Sequence, residues 1–238
     1  MIDRSLDPSL FVALDVDSAK EAERLADSLS GLSLGFKIGP RLMLREGAKL
    51  VAQIARSGPV FIDCKHFDIP STMEAAVRAG YDAGAQYSTI HAMSGPEALL
   101  QMSRLQSELQ TERHFRILTV TVLTSFSSET LPYGLRGRNI GDLVEGLAED
   151  SGSLSSFVCS PHEAARLRRI LPHAFLVTPG VRPLGSSQGD QVRIETPMAA
   201  AQTGASALVV GRPILEAANP REMALKIVEE FERHRPQA

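Results

Sequence analysis

Short apolar runs alternate with amphipathic stretches along the whole chain. Eight apolar runs have the length and residue types of buried strands; they lie at residues 11–16, 34–38, 60–65, 87–91, 116–123, 157–160, 175–178 and 207–211. Amphipathic stretches lie between them, most opened by Ser, Pro or Asp, which favour helix starts; they include residues 18–29, 41–56, 72–83, 96–108, 161–171 and 220–233. Strands that alternate with helices predict a parallel sheet.

The number of repeats favours a closed barrel. Eight strand-helix units in 238 residues predict a single (β/α)8 TIM barrel, which typically needs about 250 residues, better than an open doubly wound sheet. The fifth helix is the weakest: residues 141–156, GDLVEGLAEDSGSLSS, predict a short helix and then a polar loop before strand six. We find no linker or low-complexity tract, so residues 1–238 are interpreted as one domain.

The predicted strands end in unusually polar residues. In a TIM barrel the active site lies at the C-terminal ends of the strands. Because side chains alternate along a strand, Asp63 and Lys65 share one face of FIDCK, and the same parity turns Asp15 and Lys37 inward. Buried charges are costly unless they are paired. The sequence therefore predicts a network of alternating charges inside the barrel mouth.

Composition narrows the classes of function. The net charge of -3 and the pI near 6.1 give no general reason to bind nucleic acid or an anionic membrane. No apolar run approaches the roughly 18 residues of a membrane span, and residues 1–10 lack a signal-peptide core, so we expect a cytoplasmic protein. Cys64 and Cys159 are too few for a disulfide framework and are expected to be buried thiols.

A phosphate site, if present, must be built locally. Gly211 and Arg212 follow the last apolar run, in the region where TIM barrels commonly hold phosphate. The arginine fork suits phosphate oxygens, although a Gly-Arg pair alone is weak evidence. Residues 185–190, rich in Gly and Ser, predict a flexible loop.

The pattern D-x-K-x-x-D from Asp63 to Asp68 is short, and alone it fits a solvated strand end with salt bridges. Longer motifs surround it, and together they resemble the orotidine 5′-monophosphate decarboxylases in their bacterial single-function form. The motifs are VALDVD around Asp15, FKIG around Lys37, IDCKHFDIPST at 62–72, VTVLTS at 120–125, VCSPHEA from 158, TPGVRPLGSSQGDQVRIETP at 178–197 and VVGRPI at 209–214.

The resemblance implies a reaction and its residues. Orotidine 5′-monophosphate would lose CO2 to give uridine 5′-monophosphate (UMP), the last step of de novo UMP synthesis, with no metal and no organic cofactor. Lys65 would donate a proton to C6 of the pyrimidine, and Asp63 would lie beside the substrate carboxylate. Lys37 would hold Asp63 and a ribose hydroxyl, and Asp15 would bind the ribose.

The resemblance also implies a homodimer with shared active sites, because Asp68 and Thr72 match the pair that one subunit donates to the other. Further substrate contacts match as well: Thr124 to the pyrimidine, Arg182 at the base of the phosphate loop, Gln191 between phosphate and pyrimidine, and Gly211 and Arg212 at the phosphate.

Two other interpretations are weighed. Hexulose-phosphate synthases and ketogulonate-phosphate decarboxylases share D-x-K-x-x-D but resemble one another in a Mg2+-binding Glu on strand two. This chain has Lys37 there, and an ammonium would repel the cation. A non-catalytic phosphosugar-binding barrel is disfavoured because buried charges are tolerated mainly at functional sites.

Three features are left open by the sequence. His66 and Phe67 stand in exchanged order relative to the family, which affects the expected packing at the dimer seam. Residues 151–157 depart from the family's usual approach to strand six. His91 is predicted either to line the pocket or to form structural hydrogen bonds.

Overall fold

The computed structural model describes residues 7–183 and 195–235. Within them, eight parallel strands close into a barrel in chain order, and β8 pairs with β1. The strands are β1 Leu10–Ala13, β2 Gly35–Ile38, β3 Val60–His66, β4 Tyr87–His91, β5 Arg116–Val120, β6 Ser156–Val158, β7 Phe175–Pro179 and β8 Ala207–Val210. The predicted (β/α)8 TIM barrel is confirmed.

Helices follow the strands on the outside of the barrel. They are α1 Ala19–Leu29, α2 Pro40–Ile54, α3 Pro70–Asp82, α4 Pro96–Leu109, α5 Ile140–Asp150, α6 Pro161–Ile170, α7 Pro197–Gln202, α8 Arg212–Leu215 and α9 Pro220–His234. The fifth helix was expected to be short, but α5 has 11 residues, as many as α1, and the side chain of Asn139 caps its start. The polar approach to β6 is a loop, as predicted.

Strand parity divides the core into two layers. Phe11, Phe61 and Tyr87 fill the barrel interior, where the ring of Phe11 meets those of Phe61 and Tyr87 edge-on at 5.3 and 4.9 Å. Val12 and Phe36 point the other way, into the layer between the sheet and the helices. Gly35 leaves room for this packing, since a Cβ there would lie 2.6 Å from the Phe11 ring. The predicted inward and outward faces of strands one to three are confirmed.

Two details differ from the sequence-based expectations. β1 and β5 end at Ala13 and Val120, so Asp15 and Thr124 lie in the loops that follow these strands. Cys159 is a buried free thiol, but Cys64 is only half-buried because it lies near the open end of β3.

A charged cluster closes the opposite end of the barrel. Asp7 accepts hydrogen bonds from Nε of Arg116 at 2.7 Å and from the hydroxyl of Tyr87 at 2.9 Å, and His114 Nε2 lies 3.0 Å from the same oxygen. The Asp7 and Arg116 side chains are 3% and 4% exposed. This cluster ties the segment before β1 to the first residues of β4 and β5.

Candidate active site

A cavity of about 600 Å³ opens at the C-terminal ends of the strands, a volume within the usual range for small-molecule sites. The four predicted charged residues line it, and so do Thr124, Arg182, Gly211 and Arg212. The barrel therefore brings eight of the predicted site residues around one space.

The charged side chains alternate in sign as predicted. Nζ of Lys37 lies between two carboxylates, 3.6 Å from Oδ1 of Asp15 and 3.5 Å from Oδ2 of Asp63. Nζ of Lys65 donates to the other oxygen of Asp63 at 2.8 Å. Asp63 thus lies between two ammonium groups, with a hydrogen bond from Lys65 and an ion pair with Lys37.

Burial strengthens the attraction between the charges of this network, because water screens them less. The Asp63 and Lys37 side chains are 14% and 12% exposed, whereas Asp15 is 56% exposed. Burial alone would raise the pKa of the Asp63 carboxyl, but the charges of Lys37 and Lys65, with hydrogen bonds from Lys65 and Thr89, hold that pKa below its ordinary value. Asp63 is therefore a carboxylate at neutral pH, placed where a ligand must approach it.

The backbone at Lys65 is unusual. Its φ is 48°, and among the described residues no other residue except glycine has a positive φ. L-residues rarely adopt this left-handed conformation. The register of β3 against β4 also shifts between Ile62 and His66. No apolar pattern in the sequence indicates this irregularity, although parity placed Asp63 and Lys65 on the same side.

Thr89 belongs to this site and was missed by the sequence reasoning. It is completely buried in β4, and its hydroxyl oxygen accepts the Lys65 N–H at 2.8 Å. The available signal was its parity, since Thr89 shares the inward face of β4 with Tyr87, next to the strand that carries Asp63 and Lys65.

Two guanidinium groups lie on another side of the cavity. Arg182 follows β7 and is 7% exposed, and Arg212 follows β8. Burial and the nearby charge of Arg212 lower the pKa of Arg182. Like charges held close together in a cavity favour an anionic ligand. Gln191, the remaining predicted contact at this end, lies outside the described residues, as do residues 185–190.

Asp68 and Thr72 do not line the cavity of their own chain. Both are exposed, and Oδ1 of Asp68 accepts the Ile69 N–H at 2.7 Å. Phe67 and Ile69 flank Asp68, and each is 64% exposed. Exposed apolar side chains next to polar ones are typical of protein–protein interfaces, in which an apolar core is surrounded by a polar rim.

His91 and His66 have structural surroundings. Nδ1 of His91 accepts the Met93 N–H at 3.2 Å, and its ring stacks on Phe67 at 5.4 Å. Burial, and then the charge of Lys65, lower the pKa of His91, while burial lowers the pKa of His66. Neither histidine lines the cavity, so His91 fits the structural interpretation.

Residues 7–183 and 195–235 contain neither a metal-binding cluster nor a membrane-spanning helix. No group of three His, Cys, Asp or Glu side chains in these ranges is arranged to hold a metal ion. No helix there has the length and apolar character needed to cross a bilayer.

Comparison with known proteins adds independent evidence. The family model of the orotidine 5′-phosphate decarboxylase / HUMPS family matches residues 8–227. Proteins named orotidine 5′-phosphate decarboxylase from Rhodopseudomonas palustris (strain HaA2) and Halorhodospira halophila are 43% and 42% identical to this chain. These alignments cover 93% and 94% of this chain, and 94% and 96% of the relatives.

The fold comparison agrees. The crystal structure of orotidine 5′-phosphate decarboxylase from Lactobacillus acidophilus superposes with a TM-score of 0.81 at 28% identity, covering 94% of this chain and 99% of that one. Because the family model and close relatives span nearly the whole chain, this chain belongs to the orotidine 5′-phosphate decarboxylase / HUMPS family.

Proposed function

We propose that this protein decarboxylates orotidine 5′-monophosphate to UMP and CO2, as a carboxy-lyase that completes de novo UMP synthesis. The observation that carries the proposal is the Lys37–Asp63–Lys65 network in a cavity that also presents two arginines. Its relatives bear the name of this activity. We also propose that the enzyme is cytoplasmic, consists of a single barrel domain and needs no cofactor.

Lys65 supplies the proton in this proposal. When the bond between C6 and the carboxylate breaks, the electron pair stays on C6 and CO2 leaves. An ammonium beside C6 stabilises the developing negative charge and then transfers its proton there, which gives UMP. The ion pair with Asp63 at 2.8 Å holds Nζ of Lys65 in the cavity before substrate arrives.

Asp63 acts on the substrate carboxylate. Since its pKa is held low, it stays ionised while a second carboxylate binds close to it. Repulsion between the two is relieved as CO2 departs, so it favours the transition state over the bound substrate. Lys37 keeps Asp63 in place, and Lys37 and Asp15 offer hydrogen bonds to the ribose hydroxyls.

The two ends of the nucleotide are bound separately. Arg182 and Arg212 lie where a phosphate dianion would be neutralised, and Gly211 lets the backbone approach it. Thr124 lines the same cavity and is assigned to the pyrimidine, and Gln191 to the link between phosphate and base. Binding energy from the remote phosphate can then be used to position the reacting carboxylate.

We further propose that the working unit is a homodimer in which Asp68 and Thr72 complete the partner's site. Their exposure, and the exposed Phe67 and Ile69 beside them, support this assignment. The magnesium-dependent alternative gains no support, since the ammonium of Lys37 occupies the strand-two position and pairs with Asp15 and Asp63.

The activity is tested by following the absorbance of orotidine 5′-monophosphate with purified protein in excess EDTA. We expect conversion to UMP without added metal. Lys65→Ala is expected to lower kcat by at least roughly 100-fold while binding UMP with unchanged affinity. If the absorbance does not change in EDTA but the protein converts a phosphosugar in Mg2+, the activity is that of the metal-dependent relatives. If neither assay shows turnover, the protein is a binding protein.

The shared site is tested with mixed dimers. Asp68→Ala and Lys65→Ala chains are each expected to be inactive alone. Co-expressed with different tags, they form heterodimers in which one site has both Lys65 and the partner's Asp68, so about a quarter of all sites should be intact. Purified heterodimers that remain as inactive as either parent would contradict the shared site.

A further inference from the structure

Thr89 lies opposite the most irregular part of the catalytic strand. Ile62 of β3 pairs with Ser88 of β4, and His66 pairs with Ile90. Between these two pairs β3 has three residues, 63–65, whereas β4 has Thr89 alone. Such a bulge leaves the backbone groups of the longer strand without their regular ladder partners, so something else must satisfy them.

The Thr89 hydroxyl takes over that function. Its oxygen accepts the Lys65 N–H at 2.8 Å. Its hydrogen lies within reach of two acceptors, Oδ1 of Asp63 at 3.2 Å and the carbonyl oxygen of Ile62 at 3.4 Å. One hydroxyl therefore connects the backbone of Lys65 to the carboxylate that pairs with the Lys65 side chain.

The left-handed backbone at Lys65 makes this connection important. A non-glycine residue in that conformation is strained and persists only where its surroundings enforce it. Thr89 is completely buried, so water cannot replace its hydroxyl. Without the Thr89 acceptor, Lys65 would relax toward an extended backbone, and Nζ would leave its place beside Asp63.

We propose that Thr89 is a positioning residue for the decarboxylation, which sets the direction of Lys65 and the orientation of Asp63. The inference rests on the roles given to Lys65 and Asp63 under the proposed function. Thr89 acts through these two residues and does not bind the nucleotide. The arginines of the phosphate end follow β7 and β8 and have no contact with Thr89, so substitution of Thr89 should affect turnover and leave nucleotide binding unchanged.

The test compares Thr89→Val, which keeps the shape and removes the hydroxyl with all of its hydrogen bonds, with Thr89→Ser, which keeps the hydroxyl. Since displacements of about 1 Å in a catalytic group can reduce rates by about 100-fold, we expect Thr89→Val to lower kcat by roughly 10- to 100-fold. KM and the Kd of UMP should stay within about threefold, and Thr89→Ser should recover most of kcat.

Thr119→Val is the matched control. Thr119 is completely buried in β5, and its hydroxyl has no hydrogen-bond partner within the described part of the chain. The same substitution there should leave kcat unchanged. If Thr89→Val does not fold, Thr89→Ala takes its place, and UMP binding verifies that each variant is folded.

The outcomes separate the two proposals. A wild-type protein without decarboxylase activity overturns the proposed function. An active wild type whose kcat is unchanged in Thr89→Val, or is not recovered in Thr89→Ser, overturns the positioning role of Thr89 alone. Equal losses in kcat and UMP affinity would indicate a merely structural residue and would also overturn it.

Discussion

Lys65 combines an ion pair to Asp63 with a left-handed backbone, and the two can be separated by mutation. Lys65→Gly and Lys65→Ala both remove the ammonium, so their difference reports the backbone. Glycine tolerates a φ of 48°, although it loses more entropy on folding than alanine. We expect Lys65→Gly to exceed Lys65→Ala in free energy of unfolding by roughly 0.5–1 kcal/mol, measured by urea denaturation at equal protein concentration. A more stable alanine variant would show that the backbone is unstrained.

Individual site residues were predictable to different degrees. Strand parity and position placed Asp15, Lys37, Asp63 and Lys65 around one cavity, because a parallel strand repeats every two residues. Thr89 also has inward parity, but parity alone does not distinguish it from an ordinary core residue. Its importance arises from a bulge in the neighbouring strand, and no apolar pattern in β3 or β4 records that bulge.

Helix α2 contains an internal kink at Gly47, whose φ of 61° and ψ of -151° are not helical. That backbone region is accessible essentially only to glycine. We expect Gly47→Ala to lower the free energy of unfolding by about 1–3 kcal/mol, although no atom lies near enough to clash with the added Cβ. Thermal and urea denaturation both measure this loss.

Gly146 in α5 provides the control, since it has no positive φ and open space around it. Gly146→Ala should stabilise the protein by about 0.5–1 kcal/mol, as in other helix interiors. Equal effects at the two glycines would refute the backbone explanation for the α2 kink.

Helices were predictable from the sequence where they are long enough to show a repeating pattern of apolar residues. Helices α1, α4 and α9 begin and end within one or two residues of the predicted ranges. The six-residue α7 and the four-residue α8 are too short to show a helical period, and neither was predicted. The predicted ranges of β1 and β5 were too long because apolar residues in the following loops, such as Leu14 and Val122, are also buried.

At the scale of the whole molecule, the Asp7 cluster is expected to stabilise the barrel in a pH-dependent way. Burial raises the pKa of Asp7, but hydrogen bonds from His114, Arg116 and Tyr87 and the charge of Arg116 hold it below its ordinary value of 3.8. A carboxylate with a lowered pKa contributes stability above that ordinary value, and the contribution is lost as the pH falls through the folded-state pKa.

Asp7→Asn should therefore lower the free energy of unfolding at neutral pH by roughly 3–5 kcal/mol, because Arg116 stays buried without its counter-charge. The difference from wild type should shrink as the pH is lowered below 3.8. Asp17→Asn is the control: its ion pair with Arg41 is exposed and should contribute about 1 kcal/mol or less. A loss that is independent of pH, or no larger than the control, would contradict this role.

Contacts across the barrel were beyond sequence reasoning for a different reason. The Asp7–Arg116 pair joins residues separated by 109 positions, and no local pattern connects them. The overall topology was predictable because each strand-helix unit repeats the same local signal, and right-handed parallel connections leave few ways to assemble eight of them.

The left-handed conformation of Lys65 also bears on how this gene can diverge. A duplicated copy released from selection for decarboxylation gains nothing from the ammonium, yet it still carries the strained backbone. Glycine and asparagine are the residues best tolerated in that conformation. We therefore expect descendants that keep the barrel but abandon the chemistry to drift toward Gly or Asn at position 65, while position 37, in ordinary strand geometry, accepts a broader range of replacements.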